Sequence, residues 1–163
     1  MLRDCPYSIE ELLIHRAPML LLDKVVGYSD EEVVASVVIM EASEFVTPDG
    51  VPGHVAMEYM AQACGAYAGA MALDAGAPVR ICLLIGTRMC RVMVPWFRIG
   101  DELTVSAAIV FRDEQLAAFD CKIEARPPDR FRNPLHVPSL NQFPLPNRGR
   151  QRAVRFVPAG LHN

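Results

Sequence analysis

Three polar side chains interrupt the most apolar stretch of this chain, residues 53–73. His54, Glu58 and Gln62 stand four residues apart, so on an α-helix they lie one turn above another on the same face. An ionised carboxylate left unpaired in apolar surroundings is costly, so packing alone does not explain Glu58. A histidine and a glutamate can act as general base and general acid near neutral pH. The pattern therefore predicts acid-base chemistry, with Glu58 as its first candidate.

The start of this helix offers a second kind of group. The first N–H groups of a helix have no partner within it, and they lie at the positive end of its dipole. Gly53 could therefore donate its N–H to a substrate carbonyl oxygen, and a glycine also permits close approach. Further along the same face, Gly65 and Gly69 lack side chains. They indicate either space for a ligand beside the helix or close packing of the helix, and both interpretations stay open.

The elements that position these groups follow from hydrophobic period and turn residues. Ser8, followed by Glu10 and Glu11, predicts a short N-capped helix that ends by His15. The remaining prediction comprises strands over 19–27, 32–40, 81–94, 102–112 and 115–125, a loop over 44–53 and a long helix over 54–74. One buried helix after two strands and before three predicts an α+β fold, with a curved antiparallel sheet wrapped around one long central helix.

Charge divides the chain into two parts. Residues 1–125 hold 18 acidic and 9 basic residues, a net charge of −9, whereas residues 126–163 hold 1 and 7, a net charge of +6. We therefore predict one domain over 1–125 and a mostly irregular, Pro/Arg-rich tail over 126–163, in which only 153–157 resembles a weak strand. The acidic domain argues against nucleic acid as a partner, because phosphate binding requires a basic face.

Other sequence features favour a cytoplasmic protein. The five cysteines are odd in number and include no Cys-x-x-Cys pair, which is typical of reduced thiols. The first fifteen residues contain acidic groups and no continuous apolar run, so no secretory signal is expected. Residues 55–73 are long enough to span a membrane, but Glu58, Gln62 and many small residues favour a buried helix and no membrane partner. No metal-ligand spacing or phosphate loop is present, so no metal or cofactor is expected.

Three stretches resemble a known family. Residues 15–18 read His-Arg-Ala-Pro and are followed by Leu-Leu-Asp at 21–23. Pro52-Gly53 precedes Glu58 and Met-Ala-Gln-Ala at 60–63, and Gly86 and Arg91 precede Gly-Asp-Glu-Leu at 100–103. Together they resemble the hotdog-fold 3-hydroxyacyl-ACP dehydratases, and most of all the ApeP-like proteins associated with aryl-polyene pathways.

The resemblance implies a hotdog fold and a reaction. It implies dehydration of a 3-hydroxyacyl thioester, carried on the phosphopantetheine of an acyl carrier protein, to a trans-2-enoyl product in fatty-acid or polyene-type biosynthesis. The family's acid falls on Glu58, and its N–H donor to the thioester oxygen falls on Gly53. Its helix glutamine falls on Gln62, which either binds substrate together with Gly53 or only hydrogen-bonds to backbone across the dimer. The position of the family's catalytic histidine holds Glu44 here, so we take His54 as a provisional base.

Several alternatives remain open at this stage. The chain is either a hydro-lyase, a non-catalytic partner subunit of a heteromeric dehydratase, or a thioesterase in which Glu58 activates water. The resemblance also implies a dimer, with an identical chain or with another hotdog subunit. Arg88, Arg91 and Arg98 could bind the phosphopantetheine phosphate or an acidic carrier, or simply face solvent. His15 and Arg16 form either a structural turn, which we favour, or a catalytic pair.

Overall fold

The structure, a computed structural model, describes residues 1–113, 116–128 and 153–158. Two α-helices and nine strands occur in this part of the chain. In chain order they are β1 Arg3–Asp4, α1 Ile9–Leu12, β2 Lys24–Tyr28, β3 Glu32–Val38, β4 Val51–Pro52, α2 Ala56–Asp74, β5 Cys82–Thr87, β6 Trp96–Phe97, β7 Glu102–Arg112, β8 Ala117–Arg126 and β9 Ala153–Pro158. A single 3-10 turn, Gly53–Val55, leads into α2.

Seven of these strands form one antiparallel sheet in the order β1-β2-β3-β7-β8-β9-β5. β7 pairs along most of its length with β3 on one side and with β8 on the other. The short strands β4 and β6 form a separate pair beside the start of α2. The predicted α+β hotdog architecture, one long helix packed on an antiparallel sheet, is confirmed.

The core lies between α2 and the inner face of the sheet. Small residues on α2, including Ala63, Ala66 and Ala70, are fully buried and let the helix approach the strands closely. Tyr67 of α2 meets Phe119 of β8 edge to face, with ring centroids 5.4 Å apart. Its hydroxyl donates to the Asp30 carbonyl at 2.6 Å, so the ring is buried while its polar tip is satisfied.

The short helix α1 packs on the side of α2 that carries Gly65 and Gly69. The Ser8 side chain accepts the Glu11 N–H, and the Glu11 carboxylate accepts the Ser8 N–H. The predicted capped helix is therefore confirmed. A Cβ atom on Gly69 would lie 2.1 Å from the Leu12 carbonyl oxygen. Gly69 therefore serves close packing of α1 on α2, which decides one of the two interpretations left open for this glycine.

Two predicted strands are longer than the observed ones. The strand expected over 19–27 begins only at Lys24, because Met19 and Leu20 both turn back to donate their N–H groups to the Arg16 carbonyl, at 2.9 and 3.1 Å. The strand expected over 81–94 ends at Thr87. The strands expected over 32–40 and 115–125 agree to within two residues, and 102–112 has the predicted bounds. The short strands β1, β4 and β6 were not predicted.

The region after residue 125 contributes one strand to the sheet. β9, where the sequence predicts only a weak strand, pairs antiparallel with both β8 and β5. The sheet therefore takes a strand from the segment predicted as a mostly irregular tail. The division of the chain at residue 125 stays a prediction, and most of 126–163 lies outside the described residues.

Candidate functional site

Glu58 lies in the first turn of α2 and is held there by Gln62, one turn further on. The Gln62 Nε2 group donates to Glu58 Oε1 at 2.9 Å and to the Met19 carbonyl at 2.7 Å. Its Oε1 atom accepts the Leu21 N–H at 2.9 Å. The Gln62 side chain is only 1% exposed, so this amide is a buried bracket between α2 and the segment that precedes β2. It fixes the position of the carboxylate of Glu58.

A tight loop before that segment places a histidine opposite Glu58. The Arg16 guanidinium donates to the carbonyls of Leu13 and His15, at 2.8 and 2.7 Å, so the loop folds around its own arginine. The peptide bond between Ala17 and Pro18 is cis. The predicted structural turn at His15-Arg16 is therefore present, and it also orients the imidazole of His15.

His15 and Glu58 form an open pair. The His15 Nε2 atom lies 3.9 Å from Glu58 Oε1, and the two side chains are 33% and 37% exposed. The other ring nitrogen, Nδ1, is buried and has no hydrogen-bond partner among the described residues. A histidine kept for stability normally satisfies its ring nitrogens, so this one is poorly explained by the fold alone.

The pair opens into a cavity of about 100 Å³. Its walls come from the end of α1, the start of α2 and the strand β5. Apolar and polar groups share the lining, and its three titratable side chains other than cysteine are His15, Glu58 and Arg80. Ligands bind preferentially at concave sites where a few polar groups converge. Gly65 also lines this cavity, so space for a ligand does exist beside the helix at this glycine. The packing is close there as well, because a Cβ added to Gly65 would lie 3.0 Å from the Leu13 side chain.

Two groups predicted to contact substrate, the Gln62 amide and the Gly53 N–H, already have partners within the chain in this structure. The amide of Gln62 is occupied by Glu58 and two backbone groups, so it positions the acid and does not face a ligand. The Gly53 N–H donates to the Pro95 carbonyl at 2.8 Å, so it is not a free oxyanion donor. A Cβ on Gly53 would lie 2.2 Å from the Val94 carbonyl oxygen, so the chain itself, and not a substrate, requires the glycine there.

The predicted base, His54, lies away from the cavity of Glu58. His54 lies in the 3-10 turn before α2, is exposed, and makes no side-chain hydrogen bond or ion pair within the part of the chain that the structure describes. The turn is wound more tightly than an α-helix, so the four-residue spacing to Glu58 does not bring the two side chains together. His54 is absent from the lining of the Glu58 cavity. The structure brings together Glu58, Gln62 and His15.

The loop at the position of the family histidine is distinctive. Glu44 is exposed, and the next residue, Phe45, has φ of 63°. A bulky residue in this left-handed region stores about 1–2 kcal/mol of strain. The structure gives Glu44 no hydrogen bond or ion pair to another described residue, and Glu44 does not line the Glu58 cavity.

A second cavity, of about 140 Å³, lies beside Ala56 and Met60 near the start of α2. Residues 89–94 and β8 form its other walls, and Arg91 and Lys122 are its charged members. Of the three arginines considered for phosphate binding, only Arg91 lines this cavity, and none lines the cavity that holds Glu58.

The described cysteines and acidic groups add no metal site. Cys64 and Cys121 are buried with sulfur atoms 3.5 Å apart, and burial raises the pKa of the Cys64 thiol well above its ordinary value. The described residues contain no group of three or more His, Cys, Asp or Glu that could hold a metal ion. No helix in the same residues has the length and hydropathy needed to cross a bilayer.

The sequence contained one signal for the residue it missed. His15 falls in the His-Arg-Ala-Pro stretch, whereas helix periodicity directed attention to His54. Periodicity relates residues within one element, so it could not show that a loop far away in sequence reaches Glu58. Only the family motif pointed to residues 15–18.

Comparisons with known proteins agree on one family. The ApeP-like family, described as ApeP dehydratase, matches residues 7–139. The 3-hydroxyacyl-(acyl-carrier-protein) dehydratases FabZ of Streptococcus sanguinis and Streptococcus pneumoniae are each 32% identical over 122 residues, 72% of this chain and 84% of each enzyme. Among solved structures, the dehydratase heterocomplex ApeI:P from Xenorhabdus doucetiae is similar with a TM-score of 0.76 and 23% identity, over 96% of this chain and 93% of that one.

Proposed function

This chain belongs to the ApeP-like family of dehydratases, and we propose that it binds a 3-hydroxyacyl thioester and eliminates water to give the trans-2-enoyl thioester. The substrate would be carried on the phosphopantetheine arm of an acyl carrier protein. The FabZ relatives are 3-hydroxyacyl-(acyl-carrier-protein) dehydratases, which supports such a carrier. The pathway, fatty-acid or polyene-type biosynthesis, is part of the same proposal.

One observation carries the proposal. The Glu58 carboxylate, at the position of the family's acid, lies at a small cavity and is held by a buried amide. A purely structural acid would be expected to end in a salt bridge or a set of N–H donors. Glu58 instead keeps one oxygen near an imidazole and remains 37% exposed.

The chemistry asks for two proton transfers. A base removes a proton from C2 of the substrate, and an acid protonates the C3 hydroxyl, which leaves as water while the C2–C3 double bond forms. We assign the acid role to Glu58. Both transfers use protein side chains and the substrate alone, so the proposal requires no dissociable cofactor or metal.

The test is a direct conversion. The purified chain is incubated with 3-hydroxyacyl-ACP, and the acyl group is followed by mass spectrometry for the wild type, Glu58→Gln and the matched exposed control Glu41→Gln. We expect the wild type and the control to remove one water and Glu58→Gln to lose roughly 100-fold or more in rate. Full dehydration by Glu58→Gln would contradict the assignment, and release of a free acid would identify a thioesterase.

A second candidate function is that of a partner subunit that does not catalyse. The family's histidine position holds Glu44, and the structural neighbour from Xenorhabdus doucetiae is the dehydratase heterocomplex ApeI:P. If this chain alone leaves 3-hydroxyacyl-ACP unchanged, and a hotdog subunit that keeps the histidine becomes active or more stable only with it, the partner function is supported. Activity of the isolated chain would exclude it.

We further propose a dimer formed through the edge strand β5. Three apolar side chains of this strand, Leu83, Leu84 and Ile85, are 51%, 37% and 64% exposed. An exposed apolar edge strand also has unpaired backbone N–H and C=O groups, so it tends to pair with another chain. The partner would be an identical chain or another hotdog subunit. A cytoplasmic location is part of the proposal and is supported by the cysteines, which are all free in the structure.

A further inference from the structure

We propose that His15 is a catalytic residue and forms, with Glu58 of the same subunit, the acid-base pair of the site. The inference rests on the proposed dehydration, and it names the group that supplies the imidazole. It assigns this role to a loop residue and not to His54 or to the position of Glu44.

The first argument is placement. His15 is the only histidine within the described residues that faces Glu58, with 3.9 Å between Nε2 and Oε1, and both side chains line the same cavity. A separation of 3.9 Å is too long for a hydrogen bond between the pair. Each group therefore keeps capacity for a ligand, and catalytic hydrogen bonds in unliganded sites are often long before substrate tightens them.

The second argument is that the surroundings hold the pair and do not neutralise it. Gln62 fixes Glu58 from α2, and the Arg16 guanidinium fixes the backbone on both sides of Ile14 by donating to the Leu13 and His15 carbonyls. Neither contact uses the His15 ring, whose Nδ1 has no partner among the described residues. The ring is thus positioned by its backbone while its nitrogens stay uncommitted, as a reacting group requires.

The proton balance of the step is closed. Neutral His15 takes the C2 proton at Nε2, and the electron pair of the C2–H bond forms the C2–C3 double bond. The carboxylic acid of Glu58 gives its proton to the C3 hydroxyl, which leaves as water with the electrons of the C3–O bond. The pair then holds an imidazolium and a carboxylate, and return of the proton from His15 to Glu58 restores the starting state.

The charged groups around His15 are few. Glu58 faces it from α2, the Arg16 guanidinium is bound to its own loop, and Arg80, which precedes β5, lines the cavity. Arg80 is exposed, so it reaches the cavity from the solvent side. Within the described residues no second carboxylate lines this cavity to replace Glu58.

The experiment compares the two histidines. Dehydration of 3-hydroxyacyl-ACP is measured for the wild type, His15→Gln, His15→Ala and His54→Gln, with circular dichroism to check that each variant is folded. We expect His15→Gln to lose roughly 100-fold or more in kcat with little change in KM, and imidazole added to His15→Ala to restore part of the rate. A larger loss in His54→Gln than in His15→Gln would overturn the inference.

Mixing two inactive variants tests whether the pair belongs to one subunit. His15→Gln and Glu58→Gln chains are unfolded together and refolded. If both groups of a site come from the same chain, every site in a mixed dimer carries one defect and activity stays lost. Recovery of activity would place the histidine and the glutamate on different subunits and would overturn the inference.

An NMR measurement that does not depend on catalytic activity distinguishes this inference from the proposed function. The imidazole resonances of His15 and His54 are recorded by NMR in the wild type and in Glu58→Gln. We expect a shift of the His15 signals and none of the His54 signals. If the His15 signals do not shift, His15 and Glu58 do not form a pair, even in an active enzyme. If the signals shift but the chain dehydrates nothing, alone or with a partner subunit, both the proposed function and the catalytic role of the pair are refuted.

Discussion

Gly69 provides a sharp test of how α1 is docked on α2. It lies in the fourth turn of α2, within the helix, where a glycine normally lowers stability, so replacing it by alanine should strengthen an isolated helix by about 1 kcal/mol. In this structure the added Cβ would lie 2.1 Å from the Leu12 carbonyl oxygen and 3.0 Å from the Leu12 Cα. Because the obstructing atoms belong to backbone, no side-chain rotation can relieve the contact.

The size of the effect follows from these distances. Carbon and oxygen atoms that approach closely stay about 3.3 Å apart, so α1 would have to retreat by about 1 Å. Overpacking of this kind typically costs about 1–3 kcal/mol, and a fixed backbone atom favours the upper end. With the gain in helix propensity of about 1 kcal/mol, we expect Gly69→Ala to reduce the free energy of unfolding by about 2 kcal/mol.

Gly65 is the matched control on the same face. Its added Cβ would meet only the end of the Leu13 side chain, at 3.0 Å, and that end can move. We therefore expect Gly65→Ala to leave stability unchanged or raise it by up to about 1 kcal/mol. Both variants are unfolded in urea at one protein concentration, because dimer formation would make the midpoint depend on concentration. If Gly69→Ala proves as stable as Gly65→Ala, α1 does not pack on α2 as described.

Three further predictions follow from other contacts. Gln62→Leu should lower the free energy of unfolding by about 2–4 kcal/mol, since two buried backbone groups lose their partner, and urea unfolding against wild type measures it. The hydrogen bond from Tyr7 is the largest of the interactions that lower the pKa of the Asp74 carboxyl. The stability that this lowered pKa gives is present above the pKa of the unfolded chain and is lost as pH falls through the pKa of the folded protein. Asp74→Asn should therefore flatten the acid side of a curve of Tm against pH, whereas the exposed control Asp49→Asn should not. Ile85→Lys should abolish dimers in analytical ultracentrifugation, and a persistent dimer would remove β5 from the interface.

The fold was largely predictable because its elements have local signatures. The Ser8 capping box, the alternating strand over 102–112 and the long, largely apolar run of α2 each depend on neighbours a few residues away. The predicted strand over 19–27 failed where a distant group intervened. Met19 and Leu21 bond to Gln62 and not to a neighbouring strand, and no pattern within nine residues encodes that.

The arrangement around Glu58 was only partly predictable. Helix geometry correctly joined Glu58 to Gln62, which are hydrogen bonded one turn apart. For Gln62 the sequence left a substrate contact and a backbone hydrogen bond both open, and in the structure the backbone of residues 19–21 bonds to its amide. For Gly53 the sequence offered a free N–H at the start of the helix, but the Pro95 carbonyl accepts that N–H.

The three polar residues His54, Glu58 and Gln62 therefore have different roles in the structure. His54 ends in a turn at the surface, Gln62 anchors the helix to the loop before β2, and Glu58 alone reaches the cavity. The same bracket that removes Gln62 from ligand binding holds the chain that follows residues 15–18 against α2, and so helps to set the distance between His15 and Glu58. Positioning of the acid and delivery of the imidazole are thus coupled through one amide, and a change at Gln62 should disturb both at once.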